Sequence, residues 1–133
     1  MALTKDRNTP YRDGDFITPP VAAGAVIHAG ALVVANATGF AAPGSTATTL
    51  TYLGRADEAV DNTGGADGAK TVKIRRGIPF KFNNSGTDAV TQASLGKTCY
   101  IEDDETVSAT NGAGTKSACG TVMAVDSDGV WVE

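Results

Sequence analysis

The stretch that decides the fold lies near the carboxyl end of the sequence: Thr121-Val122-Met123-Ala124-Val125-Asp126-Ser127-Asp128-Gly129-Val130-Trp131-Val132. Two runs rich in β-branched and aromatic residues enclose four residues that favour turns. The dipeptide Asp-Gly between two such runs is a strong signal for a β-hairpin. The sequence therefore predicts an antiparallel hairpin here, and the only tryptophan, Trp131, lies in a strand that is predicted to belong to the core.

Similar short runs precede this hairpin and predict further strands. Residues 99–101 and 106–107 enclose the acidic turn 102–105, which predicts a second hairpin. Residues 71–75 alternate between apolar and basic side chains, the pattern of a half-buried strand. The other predicted strands lie within residues 25–29, 31–35, 49–56 and 78–82.

Three local signals interrupt these runs. The pair Arg76-Gly77 puts a charge where the alternation requires an apolar residue, so we expect a bulge or a break there. Pro79 places the strand 78–82 at a sheet edge or makes it begin at this point. Only residues 91–95, which end at Gly96, have the pattern of a helical turn.

Length and composition are consistent with one β domain. A chain of 133 residues buries about two-thirds of its unfolded surface, which suffices for one domain and not for two. Sixteen glycines among short strands indicate many turns. We therefore expect an all-β fold over residues 21–133, either a small β-barrel or a jelly-roll-like sandwich.

Residues 1–20 are predicted to form an extended N-terminal arm. Charges of both signs dominate residues 4–15, and this stretch has almost no apolar periodicity. Pro19 and Pro20 remove backbone donors and favour an extended path. Such a segment cannot bury enough surface to fold alone, so it is disordered or lies against something else. Tyr11 and Phe16 are the large apolar groups available to anchor it.

Charge and hydropathy argue against two classes of partner. The net charge is −4, whereas a nucleic-acid-binding protein needs a positive surface, so we expect no nucleic acid partner. No apolar stretch approaches the length needed to cross a bilayer, so we expect no membrane partner. The N-terminus has neither a secretory nor a transit pattern, so synthesis in the cytosol is expected.

The residues that carry chemistry are sparse. His28 is the only imidazole, and it has no carboxylate beside it in the sequence. Residues 64–71 resemble a phosphate-binding loop, but Ala69 stands where glycine is needed and a strand follows instead of a helix. We therefore expect no catalytic residue, no cofactor and no metal, and we do not expect an enzyme.

Cys99 and Cys119 are the only cysteines, and their spacing matches no zinc motif. For a protein made in the cytosol, two free thiols acting as small apolar core residues are expected. A single disulfide is the alternative if neighbouring strands bring the two Cα atoms within about 7 Å.

A series of blocks, taken in order, carries a likeness to a known family. They are GAVIHAGALVVANATGFAAP (24–43), LGRADEAVDN (53–62), GADGAKTV (65–72) with RRG (75–77), GKTCYIEDD (96–104) and DGVWV (128–132). Together they resemble the structural cement, or head-decoration, proteins of tailed bacteriophages and Mu-like prophages. The likeness covers nearly the whole chain, including the arm.

This resemblance implies a small β-barrel or jelly-roll-like protein that binds the outside of an assembled phage head. It implies a partner, the major capsid protein, whose neighbouring subunits the protein would clamp together. It also implies self-association as a homodimer or homotrimer and a place on the outer capsid surface of the virion after synthesis in the host cytoplasm. Members of this family are not enzymes, and the family supplies no catalytic residue to carry over.

The contact residues are argued from the chain itself. An extended arm can add a strand to a neighbouring subunit or lie across it. We therefore expect capsid contacts from the arm, and we expect a possible further interface on the basic strand, because arginine forms bidentate pairs with carboxylates. The arm candidates are Arg7, Tyr11, Arg12 and Phe16, and the interface candidates are Arg75 and Arg76.

Two functions from other classes stay open at this point. A carbohydrate- or receptor-binding β module on the virion surface would need exposed aromatic side chains. A small hydrolase would need His28 as the base beside a serine or cysteine nucleophile.

Overall fold

Twelve short strands and one 3-10 turn at Gln92–Ser94 make up the structure, a computed structural model that describes residues 1–133. The strands are β1 (Phe16–Ile17), β2 (Val26–Ile27), β3 (Leu32–Ala35), β4 (Ala41–Pro43), β5 (Thr51–Ala56), β6 (Val60–Asp61), β7 (Ile74–Arg75), β8 (Phe80–Asn84), β9 (Thr98–Ile101), β10 (Thr106–Ser108), β11 (Ala118–Asp126) and β12 (Gly129–Val132). The structure contains no helix that is long and apolar enough to cross a membrane. The all-β prediction is confirmed.

The last five strands close into a barrel in the order β10-β8-β12-β11-β9. Both predicted hairpins are present, because β9 pairs with β10 and β11 pairs with β12 in antiparallel fashion. Strand β8 lies between β12 and β10, and its pairing with β10 is parallel. Pro79 was predicted to lie at a sheet edge or at the start of a strand. It immediately precedes β8, so it marks the start of the strand.

The turn of the C-terminal hairpin differs in detail from its sequence signal. Asp126 pairs with Gly129, so Ser127 and Asp128 form the turn and Gly129 begins β12. Gly129 does not have a positive φ. A Cβ atom there would lie 2.8 Å from the carbonyl oxygen of Phe82. The glycine therefore permits β12 to approach β8 closely, and the turn does not require it.

Trp131 does not lie in the core, and that expectation was wrong. Val130 and Val132 are fully buried, so by alternation the side chain between them points to the outside of the barrel. The indole Nε1 donates a hydrogen bond to Asp126 Oδ2 at 2.9 Å. The Lys81 ammonium lies 5.8 Å from the centroid of the ring. A partner for the indole N–H at the surface makes this outward position favourable.

The first half of the chain forms a second sheet, here called the main sheet, in the order β1-β7-β5-β3-β4. All of its pairings are antiparallel. Strands β2 and β6 form a separate two-stranded sheet. As the pair Arg76-Gly77 predicted, β7 ends at Arg75, and Gly77 has a φ of 80°.

Strand β3 is shared by two hydrophobic cores. Leu32 and Val34 point into the barrel core, whereas Val33 points into a second core on the other side of the main sheet. All three side chains are fully buried. The continuous apolar run of β3 is therefore explained, because a strand covered on both faces has no polar side. The second core also contains Val21, Ile27, Ala31, Ala41, Ala56, Val72 and Ile74.

The acidic turn between β9 and β10 joins the barrel to the main sheet. The Leu32 amide donates a hydrogen bond to the Asp104 carbonyl oxygen at 2.7 Å, and the Thr46 hydroxyl donates to the Glu102 carbonyl oxygen at 2.7 Å. The Glu102 carboxylate accepts from Ser85 at 2.8 Å and from the Lys116 ammonium at 3.3 Å. The Lys116 side chain is only 11% exposed, so this ion pair is partly sheltered from water.

The N-terminal segment divides at residue 15. Phe16 and Ile17 pair with β7 as an edge strand of the main sheet. The Pro19 carbonyl oxygen then accepts a hydrogen bond from the Val72 amide at 3.2 Å. Residues 16–20, which were expected to belong to the arm, are thus paired with the body, because the apolar side chain of Ile17 packs against the second core.

Gly54 provides a test of the main sheet. Its φ is 144°, and a Cβ atom there would collide with the backbone carbonyl oxygen of Arg75 on the neighbouring strand. We expect Gly54→Ala to lower the free energy of unfolding by about 3 kcal/mol, since strain and overpacking add. Urea denaturation measures this change.

The matched control is Gly86→Ala, because Gly86 has an ordinary φ and open space around its Cα. We expect it to change the free energy of unfolding by no more than about 0.5 kcal/mol. Equal effects of the two substitutions would contradict the close approach of β5 and β7.

Acid should destabilise the protein through carboxylates that accept hydrogen bonds. Side-chain and backbone donors of Thr110 hold the pKa of Asp88 below its usual range, and Thr63 lowers the pKa of Asp61 in the same way. Lys81 lowers the pKa of Asp128. A depressed carboxylate pKa contributes stability above the unfolded value of about 3.9, and that stability is lost as the pH falls through the folded value.

We therefore expect the urea midpoint to be steady near neutral pH and to fall below about pH 5. Asp88→Asn should lower the midpoint at pH 7, and the difference from the unmodified protein should shrink at pH 3. A difference that stayed constant from pH 7 to pH 3 would contradict the assigned role of the Asp88 carboxylate.

Candidate binding surface at the root of the arm

The arm, now defined as residues 1–14, has no partner within the chain. Every residue in it is exposed, and none forms a hydrogen bond or an ion pair with the rest of the protein. Tyr11 is 99% exposed. The predicted contact residues Arg7 and Arg12 are likewise fully available, so the arm presents two guanidinium groups and a phenol ring without internal partners.

The arm is attached to the body at a small cluster that we call the arm root, formed by Asp15, Phe16, Lys73 and Arg75. Phe16 pairs with Arg75 across β1 and β7. The Lys73 ammonium lies 4.4 Å and the Arg75 guanidinium carbon 5.0 Å from the centroid of the Phe16 ring. The Asp15 carboxylate lies 3.6 Å from Arg75. A cation over the face of an aromatic ring is attracted to the ring electrostatically. Phe16 therefore anchors the base of the arm to β7.

A row of opposed residues places the arm root on one face of the main sheet. Leu32 is opposite Arg55, Arg55 is opposite Arg75, and Arg75 is opposite Phe16. Directly opposed residues lie on the same face of a sheet. Because Leu32 belongs to the barrel core, the whole row faces the barrel side. The Arg55 guanidinium lies 4.9 Å from the centroid of the barrel residue Phe80, so the barrel covers the row as far as Arg55.

The charges of this face largely neutralise one another. Asp57 lies 3.0 Å from the Arg55 guanidinium and 3.9 Å from the Lys73 ammonium. Exposed ion pairs of this kind contribute about 0–1 kcal/mol each, and exposed cation–π contacts about 0.5–1 kcal/mol. The arm root is therefore held by several weak contacts, and it leaves little uncompensated charge for a partner.

The Arg76 amide donates a hydrogen bond to the Asp15 carbonyl oxygen at 2.9 Å, but Arg76 also lines a cleft. The cleft has a volume of about 240 Å³ between the main sheet and the barrel, and Tyr52, Ile78, Phe80 and Glu133 are among its other lining residues. Burial raises the pKa of Tyr52 above its ordinary range, so this hydroxyl stays protonated. Arg76 forms no ion pair, in contrast to Arg75. Of the two predicted interface arginines, Arg76 is the one whose charge is available to a partner.

The predicted contact residues therefore separate into three groups. Phe16 and Arg75 come together in the arm root, the three side chains of the arm remain free, and Arg76 faces the cleft. Sequence reasoning missed the parts played by Asp15 and Lys73. Lys73 had a signal, since it lies on the alternating basic strand, but the pairing of β1 with β7 joins residues far apart in the chain.

His28 has carboxylates near it in space although none is beside it in the sequence. It lines a cavity of about 330 Å³ together with Asp104 and Glu105 from the acidic turn. The remaining lining residues are alanine and glycine, so no hydroxyl or thiol group borders this cavity. The nucleophile that the hydrolase hypothesis requires is not placed beside His28. Neither here nor elsewhere is a group of three or more His, Cys, Asp or Glu side chains arranged to hold a metal ion.

No known protein family, curated protein or solved structure matches this chain.

Phe16→Ala tests the anchoring of the arm. Loss of the ring removes the contacts to Lys73 and Arg75, so we expect the free energy of unfolding to fall by about 1 kcal/mol. We also expect limited proteolysis to cut residues 15–20 several-fold faster. The matched control is Tyr11→Ala, which removes an aromatic ring that is fully exposed and should change neither quantity. Indistinguishable behaviour of the two variants would contradict the anchoring role of Phe16.

Proposed function

We propose that this protein is a capsid decoration, or cement, protein that binds the outer surface of a tailed-phage head and stabilises contacts between major capsid subunits. One observation carries the proposal: a β body whose cores are complete without the arm is joined to a segment of residues 1–14 that has no internal partner. The resemblance of the sequence blocks to head-decoration proteins points to the same function.

The composition of the arm suits binding to a surface outside the chain. A polar segment with few apolar groups cannot order itself and gains order from a partner. Fully extended, residues 1–14 reach roughly 45–50 Å from the arm root. That reach allows the arm of one copy to cross onto a neighbouring capsid subunit, where it can lie along a strand edge.

Arg7, Tyr11 and Arg12 are the proposed contact residues of the arm. Tyrosine and arginine are enriched among the residues that contribute most to protein interfaces. Arginine also forms planar bidentate pairs with carboxylates. Arg76 adds a cation at the edge of the body, whereas Phe16 and Arg75 act in this proposal by fixing the direction in which the arm leaves the body.

Repetition on the capsid lattice would strengthen weak contacts. Once one part of a copy is bound to the capsid, its other contacts form at high effective concentration. Contacts of modest affinity therefore combine into stable occupancy. Self-association as a homodimer or homotrimer, which the resemblance implies, would increase this effect. The proposal places the protein on the outer capsid surface after synthesis in the host cytoplasm, with the major capsid protein as partner.

One observation favours the second candidate function, binding of a carbohydrate or receptor at the virion surface. Trp131 lies on the outside of the barrel, beside Asp126 and Lys81, where an aromatic ring and hydrogen-bonding groups meet. Binding to a glycan array that is lost in Trp131→Ala, without binding to heads, would favour this function over capsid decoration.

Removal of residues 2–14 tests the proposed function. Because both cores lie outside the arm, we expect the shortened protein to keep its thermal midpoint within about 2 °C. In co-sedimentation with expanded heads that lack the protein, we expect the shortened protein to bind at least tenfold less well than the full chain. The heads should be those built from the major capsid protein encoded with this chain.

Two variants of the full chain refine this test. Arg7→Ala/Tyr11→Ala/Arg12→Ala should reduce binding nearly as much as the truncation, whereas Thr4→Ala/Thr9→Ala, which changes residues of the same arm, should bind as the unmodified protein does. Binding of the truncated protein at unmodified occupancy would show that the arm is not the capsid contact.

A further inference from the structure

The barrel brings the two cysteines of the chain to opposed positions on neighbouring strands. Ala118 of β11 pairs with Tyr100 of β9, so the next residue of each strand places Cys119 opposite Cys99. The register shifts between this pair and the pair of Thr121 with Thr98, so a β-bulge lies in the segment that contains Gly120. The pairing of β9 with β11 thus brings together two cysteines that are twenty positions apart in the sequence, although their spacing matches no motif.

Both thiols belong to the hydrophobic core of the barrel. Cys99 is completely buried and Cys119 is 8% exposed. The Cys99 thiol donates a hydrogen bond to the carbonyl oxygen of Gly120, the residue after Cys119, at 3.5 Å. Opposed residues of antiparallel strands have Cα atoms about 4.5–5.5 Å apart, which lies within the range that a disulfide spans.

The bulge gives this position room to adjust. A Cβ atom at Gly120 would collide with the Glu133 carbonyl oxygen, so glycine holds the bulge where β11 passes the end of β12. A bulge interrupts the regular ladder and bends the strand locally. Small changes in the separation of Cys99 and Cys119 therefore need not break the neighbouring pairs of the barrel.

We propose that Cys99 and Cys119 are a modification site that forms a reversible cross-strand disulfide when the protein meets a disulfide oxidant such as oxidised glutathione. Free thiols are expected in the reducing cytosol, and oxidation follows release into an oxidising medium. The inference does not depend on capsid binding, because it concerns only the barrel.

The reaction proceeds by two exchanges. The Cys99 thiolate attacks one sulfur of the oxidant, which breaks the oxidant's disulfide and releases one glutathione thiolate. The Cys119 thiolate then attacks the Cys99 sulfur of the mixed disulfide and releases the second glutathione. Two electrons pass from the protein to the oxidant, and the two thiol protons end on the two glutathione molecules.

Local opening of the barrel limits the rate of oxidation. In the closed barrel, the neighbouring Cys119 lowers the pKa of Cys99, whereas the neighbouring Cys99 and burial raise the pKa of Cys119. Because Cys99 is buried, the oxidant reaches it only when β9 and β11 separate locally. We therefore expect slow oxidation of the native protein and faster oxidation in urea below the unfolding transition.

The experiment treats the reduced full-length protein with oxidised glutathione and follows it by intact mass and peptide mapping. We expect the loss of two hydrogen atoms, a change of mobility on a non-reducing gel that dithiothreitol reverses, and a single cross-linked peptide pair containing Cys99 and Cys119. A disulfide that closes a loop of about twenty residues should raise the thermal midpoint by about 10 °C.

The unmodified protein is compared with itself in the reduced and oxidised forms, so the result does not depend on a variant that folds. Cys99→Ser and Cys119→Ser are additional controls, and each should abolish the mass change of the cross-link. Addition of glutathione to each cysteine without a cross-link, or unchanged mass after prolonged treatment in sub-denaturing urea, would overturn the proposal.

Discussion

The sharing of β3 by two cores is the constraint on which the rest of the structure depends. Leu32 and Val34 hold the main sheet against the barrel, and Val33 holds it against the second core. If β3 slipped by one residue, Leu32 and Val34 would move to the second core and Val33 would move to the barrel core. The packing of both cores therefore fixes the register of β3. The positions of β5, β7 and β1 follow in turn, because each pairs with the strand before it.

This arrangement separates a rigid body from an arm that is free to bind. The row from Leu32 to Phe16 begins under the barrel and ends at the exposed edge of the main sheet, where Phe16 is 42% exposed. The arm root lies at that edge, where the pairing of β1 with β7 is supplemented by cation–π contacts and ion pairs that are each weak. A folded body joined to an unpartnered arm is compatible with the proposed capsid binding, because the arm can adapt to a partner while the fold stays unchanged.

Local signals predicted the parts of the fold that depend on turns. The two hairpins, the break at Arg76-Gly77 and the 3-10 turn at Gln92–Ser94 follow from turn-forming residues close in the chain. The parallel pairing of β8 with β10, the joint made by the acidic turn and the pairing of Phe16 with Arg75 bring together distant residues, and no local pattern encodes them. Trp131 was misplaced because large aromatic residues usually fill cores, whereas here Asp126 provides a surface partner for the indole N–H.

Hydrogen exchange of the backbone amides, measured for the free protein and for the protein bound to expanded heads, tests the central claim most directly. In the free protein we expect fast exchange over residues 2–14 and strong protection at Leu32–Ala35. On binding, the amides of residues 2–14 should become protected while those of β3 do not change. An arm that exchanges equally fast in both states would contradict the claim that the arm is the adhesive element.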